Sequence, residues 1–352
     1  MSELLRQEIL SLDEYTLKQY PHRIKLNQNE NPFELPAEIK QEIVQRLSAM
    51  PWSRYPAFIP QQQINDIARY AGWVPDGTLI GNGSNDLLQL LFLATLAREE
   101  TVVISQPTFT LYKILARGLA AHVEEVGMTP DFRFDTEGII AVARRTQAKL
   151  IVICSPNNPT GTLMPEDDVV RIIEETGGIV VLDEAYVHFA PGSLRHLLMR
   201  YDRLVILQTF SKAMGAAGLR FGYLLAPVDL ARQLNKIKLP YSVNIFTLIA
   251  AEVLLAHWED LKGWIGVLIQ ERERVRAGMA KLPACRVYPS SANFLLFESL
   301  RKKPAEVFQA LLQKGILIRD VSSYPMLARG LRVSTGTPDE NTQFLNAIRE
   351  AL

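Results

Sequence analysis

Leu204-Val205-Ile206-Leu207-Gln208-Thr209-Phe210-Ser211-Lys212-Ala213-Met214-Gly215-Ala216-Ala217-Gly218-Leu219-Arg220 holds the most informative lysine in the chain. Its first four residues are all apolar. That predicts a strand covered on both faces of a sheet, because a half-exposed strand would alternate apolar with polar residues. Lys212 then follows the hydroxyl residues Thr209 and Ser211 and precedes Arg220 by eight positions across small residues. An amine and an anion clamp can thereby share one pocket. Taken alone, such a lysine would usually be a solvated surface group.

Similar apolar runs recur at Val102 to Ile104, Leu150 to Cys154, Ile179 to Leu182 and Phe221 to Leu225. Several of the spacers between them, such as Pro165 to Thr176, are long enough for crossover helices. A largely parallel α/β domain is therefore expected over roughly residues 30 to 260. Pro36 to Leu47 carries Ile39, Ile43 and Leu47 at intervals of four and reads as an amphipathic surface helix opened by a proline. After Pro240 the pattern changes: helices are expected at Thr247 to His257 and Leu261 to Leu282, and strands at Asn293 to Phe297, Gly315 to Arg319 and Leu331 to Ser334. These elements describe a smaller α+β domain, with the long Arg- and Glu-rich helix bridging the two.

Composition narrows the function classes. The 352 residues are 48% hydrophobic and carry 38 basic against 38 acidic side chains, without a basic block to follow a nucleic-acid backbone. The longest strongly apolar stretch, Leu90 to Ala97, is far below the roughly 20 residues that span a bilayer. The polar, acidic start is unlike a secretory signal, so neither nucleic acid nor membrane is an expected partner and a cytoplasmic location is expected. With two cysteines only, Cys154 and Cys285, no disulfide framework or paired-cysteine metal site is expected, and Cys154 reads as a small buried thiol.

Three further segments supply what a lysine needs to work with pyridoxal phosphate. Asp183 ends the run Ile179 to Leu182, where open α/β sheets place their ligand crevice, and its carboxylate can pair with a protonated pyridine nitrogen. Asn158, in Ser155-Pro156-Asn157-Asn158-Pro159-Thr160-Gly161, and Tyr186 can donate hydrogen bonds to the cofactor's phenolic oxygen. Gly83-Ser84-Asn85 leaves bare the amino end of the helix begun by Leu87 and can hold a phosphate with Thr209, Ser211 and Arg220. Phe109 follows another strand and can stack on the ring. Each has a plainer reading: a cap for Asp183, an Asn-Pro-Gly turn for Asn158, and ordinary core for Phe109.

In combination, Asn158-Pro159-Thr160-Gly161, Asp183-Glu184-Ala185-Tyr186 and Ser211-Lys212 with Arg220, in that order and at those separations, resemble the fold-type I pyridoxal-phosphate aminotransferases over nearly the whole chain. Narrower segments are similar to the histidinol-phosphate aminotransferases: Leu26-Asn27-Gln28-Asn29-Glu30-Asn31-Pro32, Arg54-Tyr55-Pro56, Gly81-Asn82-Gly83-Ser84, Ile318-Arg319-Asp320 and Gly330 to Thr337. The resemblance implies a large cofactor-binding domain at 30–260, with a central mostly parallel sheet between helices, and a small α+β domain from 1–29 and 261–352. It also implies a homodimer in which Tyr55 reaches the neighbouring subunit's cofactor phosphate. Arg332 matches the arginine that holds the substrate's anionic group, and Arg319 and Tyr20 match positions near the substrate phosphate. Phe109 stands where the family often has tyrosine, and Asn85 where it usually has an acid.

The resemblance further implies reversible amino transfer from L-histidinol phosphate to 2-oxoglutarate in histidine biosynthesis. Other outcomes stay open: an aminotransferase for aromatic amino acids, a threonine-phosphate decarboxylase, or a binding protein on the same fold. Loss of Lys212 or an added basic DNA-binding domain would mark the last, and neither is present.

Overall fold

The computed structural model describes residues 4–14 and 18–352. Its largest sheet has seven strands, in spatial order Thr78–Gly81, Gly222–Leu225, Leu204–Thr209, Ile179–Asp183, Leu150–Cys154, Thr101–Gln106 and His122–Gly127. Neighbours pair in parallel except Gly222–Leu225, which is antiparallel to both of its partners. The expected α/β class, with a mostly parallel sheet between helices, is what the chain adopts.

Apolar runs form these strands because both faces are buried. Val103, Ile151, Ile153, Val180, Leu182, Leu204 and Ile206 enter one core, while Val102, Ile104, Leu150, Val152, Val181, Val205 and Leu207 enter the other. Each fully buried side chain of this size contributes about 1.5–3 kcal/mol relative to exposure, so the sheet centre is the stable platform of the molecule. The helix expected from Pro36 is Ala37–Ser48, with Ile39 and Ile43 buried.

Two strands of this sheet have no strongly apolar run. His122–Gly127 contains Glu124 and Glu125 and buries only Val126, since it lies at the sheet edge with a single partner. Thr78–Gly81 occupies the other edge and has four residues. Pairing with a neighbour, more than side-chain hydrophobicity, makes the first a strand, whereas the second also buries Leu79 and Ile80 in the two cores.

A four-stranded antiparallel sheet, in order Arg319–Asp320, Gly330–Ser334, Phe294–Ser299 and Cys285–Val287, forms the smaller α+β part. Val275 and Met279 of the helix Gly263–Ala280, Val307 and Leu311 of Pro304–Gln313, and Phe344 and Ile348 of Pro338–Ala351 share its core. The expected strand over Gly315 to Arg319 is divided. Ile316–Leu317 pairs in parallel with Ile24–Lys25, and Arg319–Asp320 turns away to pair with Gly330–Ser334. The expected helix from Leu261 to Leu282 is found as Gly263–Ala280, preceded by the short helix Trp258–Leu261.

Between the sheets lies a cluster of Tyr186, Phe189, Ala213, Leu268, Ala292 and Phe294. Buried Arg272 ties the same junction, donating from Nη1 to the Ala292 carbonyl at 2.9 Å and the Phe189 carbonyl at 3.4 Å. Among the described residues no helix is long and apolar enough to cross a membrane.

Candidate active site

Between Thr101–Gln106 and Leu150–Cys154 the chain visits the edge strand His122–Gly127 and returns to the other side. Strand order reverses there, which opens a crevice at the carboxyl ends of the strands. A cavity of about 440 Å³ occupies it, and Phe109, Asn158 and Asp183, each placed just beyond or at the end of a strand, all line it.

One end of the cavity is built for an anion. Gly83, at φ +81, precedes the twelve-residue helix Ser84–Thr95 and supplies no side-chain cap, so the first N–H groups have no partner within the helix. A Cβ on Gly83 would come within 2.6 Å of Arg220 Nη2, and one on Gly222 within 2.3 Å of the Ser84 nitrogen. Glycine at both positions lets the guanidinium and the helix end converge. Arg220 Nη1 donates to Ser211 Oγ at 3.2 Å, and Thr209 Oγ1 donates to Ser211 Oγ at 3.0 Å. Ser84, Asn85, Thr209, Ser211 and Arg220 all face the cavity. Helix dipole, N–H groups, hydroxyls and one guanidinium suit a phosphate dianion.

Asp183 lies opposite in character. It is 7% exposed and accepts from Tyr112 Oη on Oδ2 at 2.6 Å and from the Ala185 N–H on Oδ1 at 3.1 Å. Burial pushes its carboxyl up, against those two donors and the positive charge of Lys212. A cation set against this carboxylate would relieve that cost. Phosphate donors and a buried acid on the same cavity wall, with Phe109 also lining it, fit the phosphate and ring nitrogen of pyridoxal phosphate.

Lys212 Nζ donates to the Gln28 carbonyl at 2.9 Å and stands 5.8 Å from the centre of the Tyr186 ring. Part of its surface meets the cavity, yet protein surrounds the ammonium on the other sides. Burial first, then the nearby charges of Arg332 and Arg220, bring its pKa down to about 8, while Glu30 acts in the opposite sense. Tyr186 is buried, and that burial raises its phenol above the usual range. Asn158 uses Oδ1 to accept from Arg332 Nη1 at 2.5 Å, which leaves its NH₂ as the donating end. Arg332 Nη2 also donates to the Asn27 carbonyl at 2.6 Å, and its guanidinium lies 5.4 Å from the Phe294 ring centre. Arg319 sits directly opposite Arg332 in the strand register, and both line the cavity.

Two candidates lie elsewhere. Tyr55 is 81% exposed and stacks on Tyr241 with ring centroids 4.6 Å apart, outside this chain's cavity. Tyr20 packs edge-to-face on Phe308 at 5.3 Å and does not line the cavity. In return the structure adds Tyr112 and Cys154 to the cavity wall, and brings there Asn27 to Glu30, a segment that carries the family resemblance but had no assigned role. Tyr112 had a faint signal, an aromatic one helical turn beyond Phe109.

The family model for aminotransferase class I and II matches residues 21–348. The chain belongs to that family. Among aminotransferases similar to it, the histidinol-phosphate aminotransferase of Thermoanaerobacter sp. (strain X514) is 34% identical over 100% of this chain and 99% of its own. A crystal structure of histidinol-phosphate aminotransferase from Sinorhizobium meliloti, in complex with pyridoxal-5'-phosphate, superposes with a TM-score of 0.88 at 25% identity, covering 99% of this chain and 97% of that one. The L-threonine-O-3-phosphate decarboxylase of Porphyromonas gingivalis also shares the fold, with a TM-score of 0.82 at 23% identity over 93% of this chain and 99% of that one. The aminotransferase fold is therefore common to both reaction types.

Proposed function

We propose that this aminotransferase binds pyridoxal phosphate and exchanges L-histidinol phosphate and 2-oxoglutarate for imidazole-acetol phosphate and L-glutamate, reversibly, in the cytoplasm. The observation that carries the reading is the pair Arg319 and Arg332, opposed across two strands on the cavity wall. Like charges placed directly opposite destabilise a sheet unless an anion lies between them. Among the described residues Arg319 forms no ion pair. Planar guanidinium forks suit both anions, the phosphate of one substrate and the carboxylate of the other. Full-length relatives carrying the histidinol-phosphate name support the same choice.

When bound, pyridoxal phosphate supplies an aldehyde for amines and a ring that accepts the electron pair of the bond broken at the substrate's α-carbon. Ser84, Asn85, Thr209, Ser211, Arg220 and the helix amino end would hold its phosphate, Phe109 its ring face and Asp183 its nitrogen. Asn158 and Tyr186 would donate to its phenolic oxygen. Lys212 accepts the α-proton at Nζ and returns it, a task suited to an amine whose pKa is about 8. Arg332, already oriented by Asn158 and Asn27, binds the anionic end and turns the α-carbon toward Lys212. Because one amino group is taken up before the second substrate enters, the kinetics should be ping-pong.

Single-turnover spectra with each amino donor test the assignment. Arg332→Ala should weaken conversion by L-glutamate and by L-histidinol phosphate alike, by roughly 30-fold or more, since losing one partner of a buried charge pair costs about 2–5 kcal/mol. Arg319→Ala should harm histidinol phosphate more than glutamate, because phosphate has the greater charge and more acceptor oxygens. Unimpaired conversion of both donors by Arg332→Ala would remove the anion-binding role. Carbon dioxide released from threonine phosphate without glutamate formation would replace amino transfer with decarboxylation.

The active unit is proposed to be a homodimer with Tyr55 reaching the partner's cofactor phosphate. Exposed Tyr55 and Phe58, gathered on Tyr241 near exposed Leu239, make an apolar surface that a second copy would cover. Sedimentation at assay concentration should give twice 39.6 kDa, and a fully active species of 39.6 kDa would contradict it. Residues 30–260 are proposed to act as the large domain and 1–29 with 261–352 as the small one, joined at the cluster containing Tyr186 and Phe294. Part of residues 1–29 lies outside the described residues.

A further inference from the structure

Three consecutive residues, Asn27, Gln28 and Asn29, each hold a different side chain of the cavity. Arg332 donates to the carbonyl of the first, Lys212 to the carbonyl of the second, and the third donates from its own Nδ2 to Tyr186 Oη at 3.0 Å. Backbone carbonyls would make the first two contacts whatever the residue. The third belongs to the asparagine side chain, and its direction is set by its surroundings.

Asn29 is 1% exposed and has φ 56, in the left-handed region that asparagine tolerates better than most residues. Its N–H donates to Ser334 Oγ at 2.8 Å, so the Ser334 hydroxyl must send its hydrogen elsewhere, and it donates to Asn29 Oδ1 at 3.0 Å. The carbonyl of Asn29 accepts from Asn293 Nδ2 at 3.0 Å. With Oδ1 committed to Ser334, the NH₂ end faces Tyr186. Reversing the amide would take the acceptor away from the Ser334 hydrogen and draw the phenol hydrogen toward Asn29 Oδ1, away from the cavity. Tyr186 Oη thus receives a hydrogen bond from behind. Its hydrogen remains to be given, and the cavity it lines is the open side.

We propose that Asn29 is a positioning residue for the reaction, fixing the Tyr186 hydroxyl as a hydrogen-bond donor into the cavity. This rests on the reading of Tyr186 as a donor to the cofactor's phenolic oxygen. Ser334, on the strand that also bears Arg332, sets the polarity of the relay. Without Asn29 the phenol hydrogen is free to rotate, and a negatively charged oxygen beside it loses a fixed donor. A weaker donor favours the protonated form of the bound cofactor, so the pH at which its colour changes should rise.

The test is a pH titration of visible absorbance on protein reconstituted with pyridoxal phosphate. Asn29→Gly tolerates the left-handed backbone while deleting the side chain, and Ser334→Ala frees the amide to turn. Tyr186→Phe should raise the midpoint by about one unit, a roughly tenfold change in the protonation constant. Asn29→Gly should raise it in the same direction by a comparable or smaller amount, and Ser334→Ala by less. In the Tyr186→Phe background Asn29→Gly should add nothing. A wild-type midpoint in Asn29→Gly, or an equal shift with and without the Tyr186 hydroxyl, overturns the proposal, the second by showing that Asn29 acts only through the fold. An unchanged midpoint in Tyr186→Phe overturns the donor reading on which it rests. If Asn29→Gly does not fold, Ser334→Ala in the two backgrounds gives the same decision.

Discussion

Lys212→Ala is expected to lower turnover at least about 10,000-fold, because one amine is assigned both attachment to the cofactor and proton transfer, and general acid–base catalysis alone is worth about 100- to 10,000-fold. Neighbouring amines are no substitute: Lys212 is the lysine that lines the cavity, and burial with the charges of Arg332 and Arg220 holds it at about 8. Borohydride reduction of the cofactor-loaded protein, followed by peptide mapping, should place a pyridoxyl group on the peptide that contains Lys212. Its recovery on another lysine would overturn the assignment. The pH dependence has a definite sign. Only the neutral amine attacks an aldehyde, so the rate at which cofactor-free protein captures pyridoxal phosphate should climb as pH rises through about 8 and level off above it.

Asp183→Asn should lower kcat by roughly 100- to 1,000-fold, the scale seen when one fixed electrostatic partner of a reacting group is removed. The substitution keeps the shape of the side chain, and its amide oxygen can still accept from Tyr112, so the fold should persist. Cofactor should also still bind, since Arg220, Ser211 and the amino end of Ser84–Thr95 are untouched. What disappears is the negative charge that is proposed to pair with the ring nitrogen. Unchanged turnover at saturating cofactor would show that Asp183 is not that partner. The opposing pulls on this carboxyl, burial upward and Tyr112 downward, explain why a tyrosine hydroxyl is placed 2.6 Å from it.

Much of this chemistry was legible before any fold was known, because its parts are local. Lys212 and Arg220 lie on one short connection after one strand, and Asp183 and Tyr186 close together after another. Continuous apolar runs at Leu150–Cys154, Ile179–Asp183 and Leu204–Thr209 announce buried parallel strands, and the crevice of such a sheet lies at their carboxyl ends. Residues just past those runs therefore meet in one place. The edge strands were invisible for the converse reason: His122–Gly127 is solvated on its outer edge and has no apolar run to betray it.

Register and long-range pairing supplied the rest. Residues 24–25 lie nearly 300 positions from 316–317, and nothing in either dipeptide specifies the other, yet their two-residue pairing brings Asn27, Gln28 and Asn29 beside Arg332, Lys212 and Tyr186. Arg319 meets Arg332 only because a predicted single strand divides after Leu317 and its second half crosses to a different partner. Tyr112 finds Asp183 from the helix Leu111–Gly118, which no period in the sequence ties to that strand. Side-chain chemistry and local hydrophobic period are properties of short segments and can be read from them. A hydrogen bond between distant segments depends on how whole elements pack, and packing energy is shared among too many residues for any one segment to encode it.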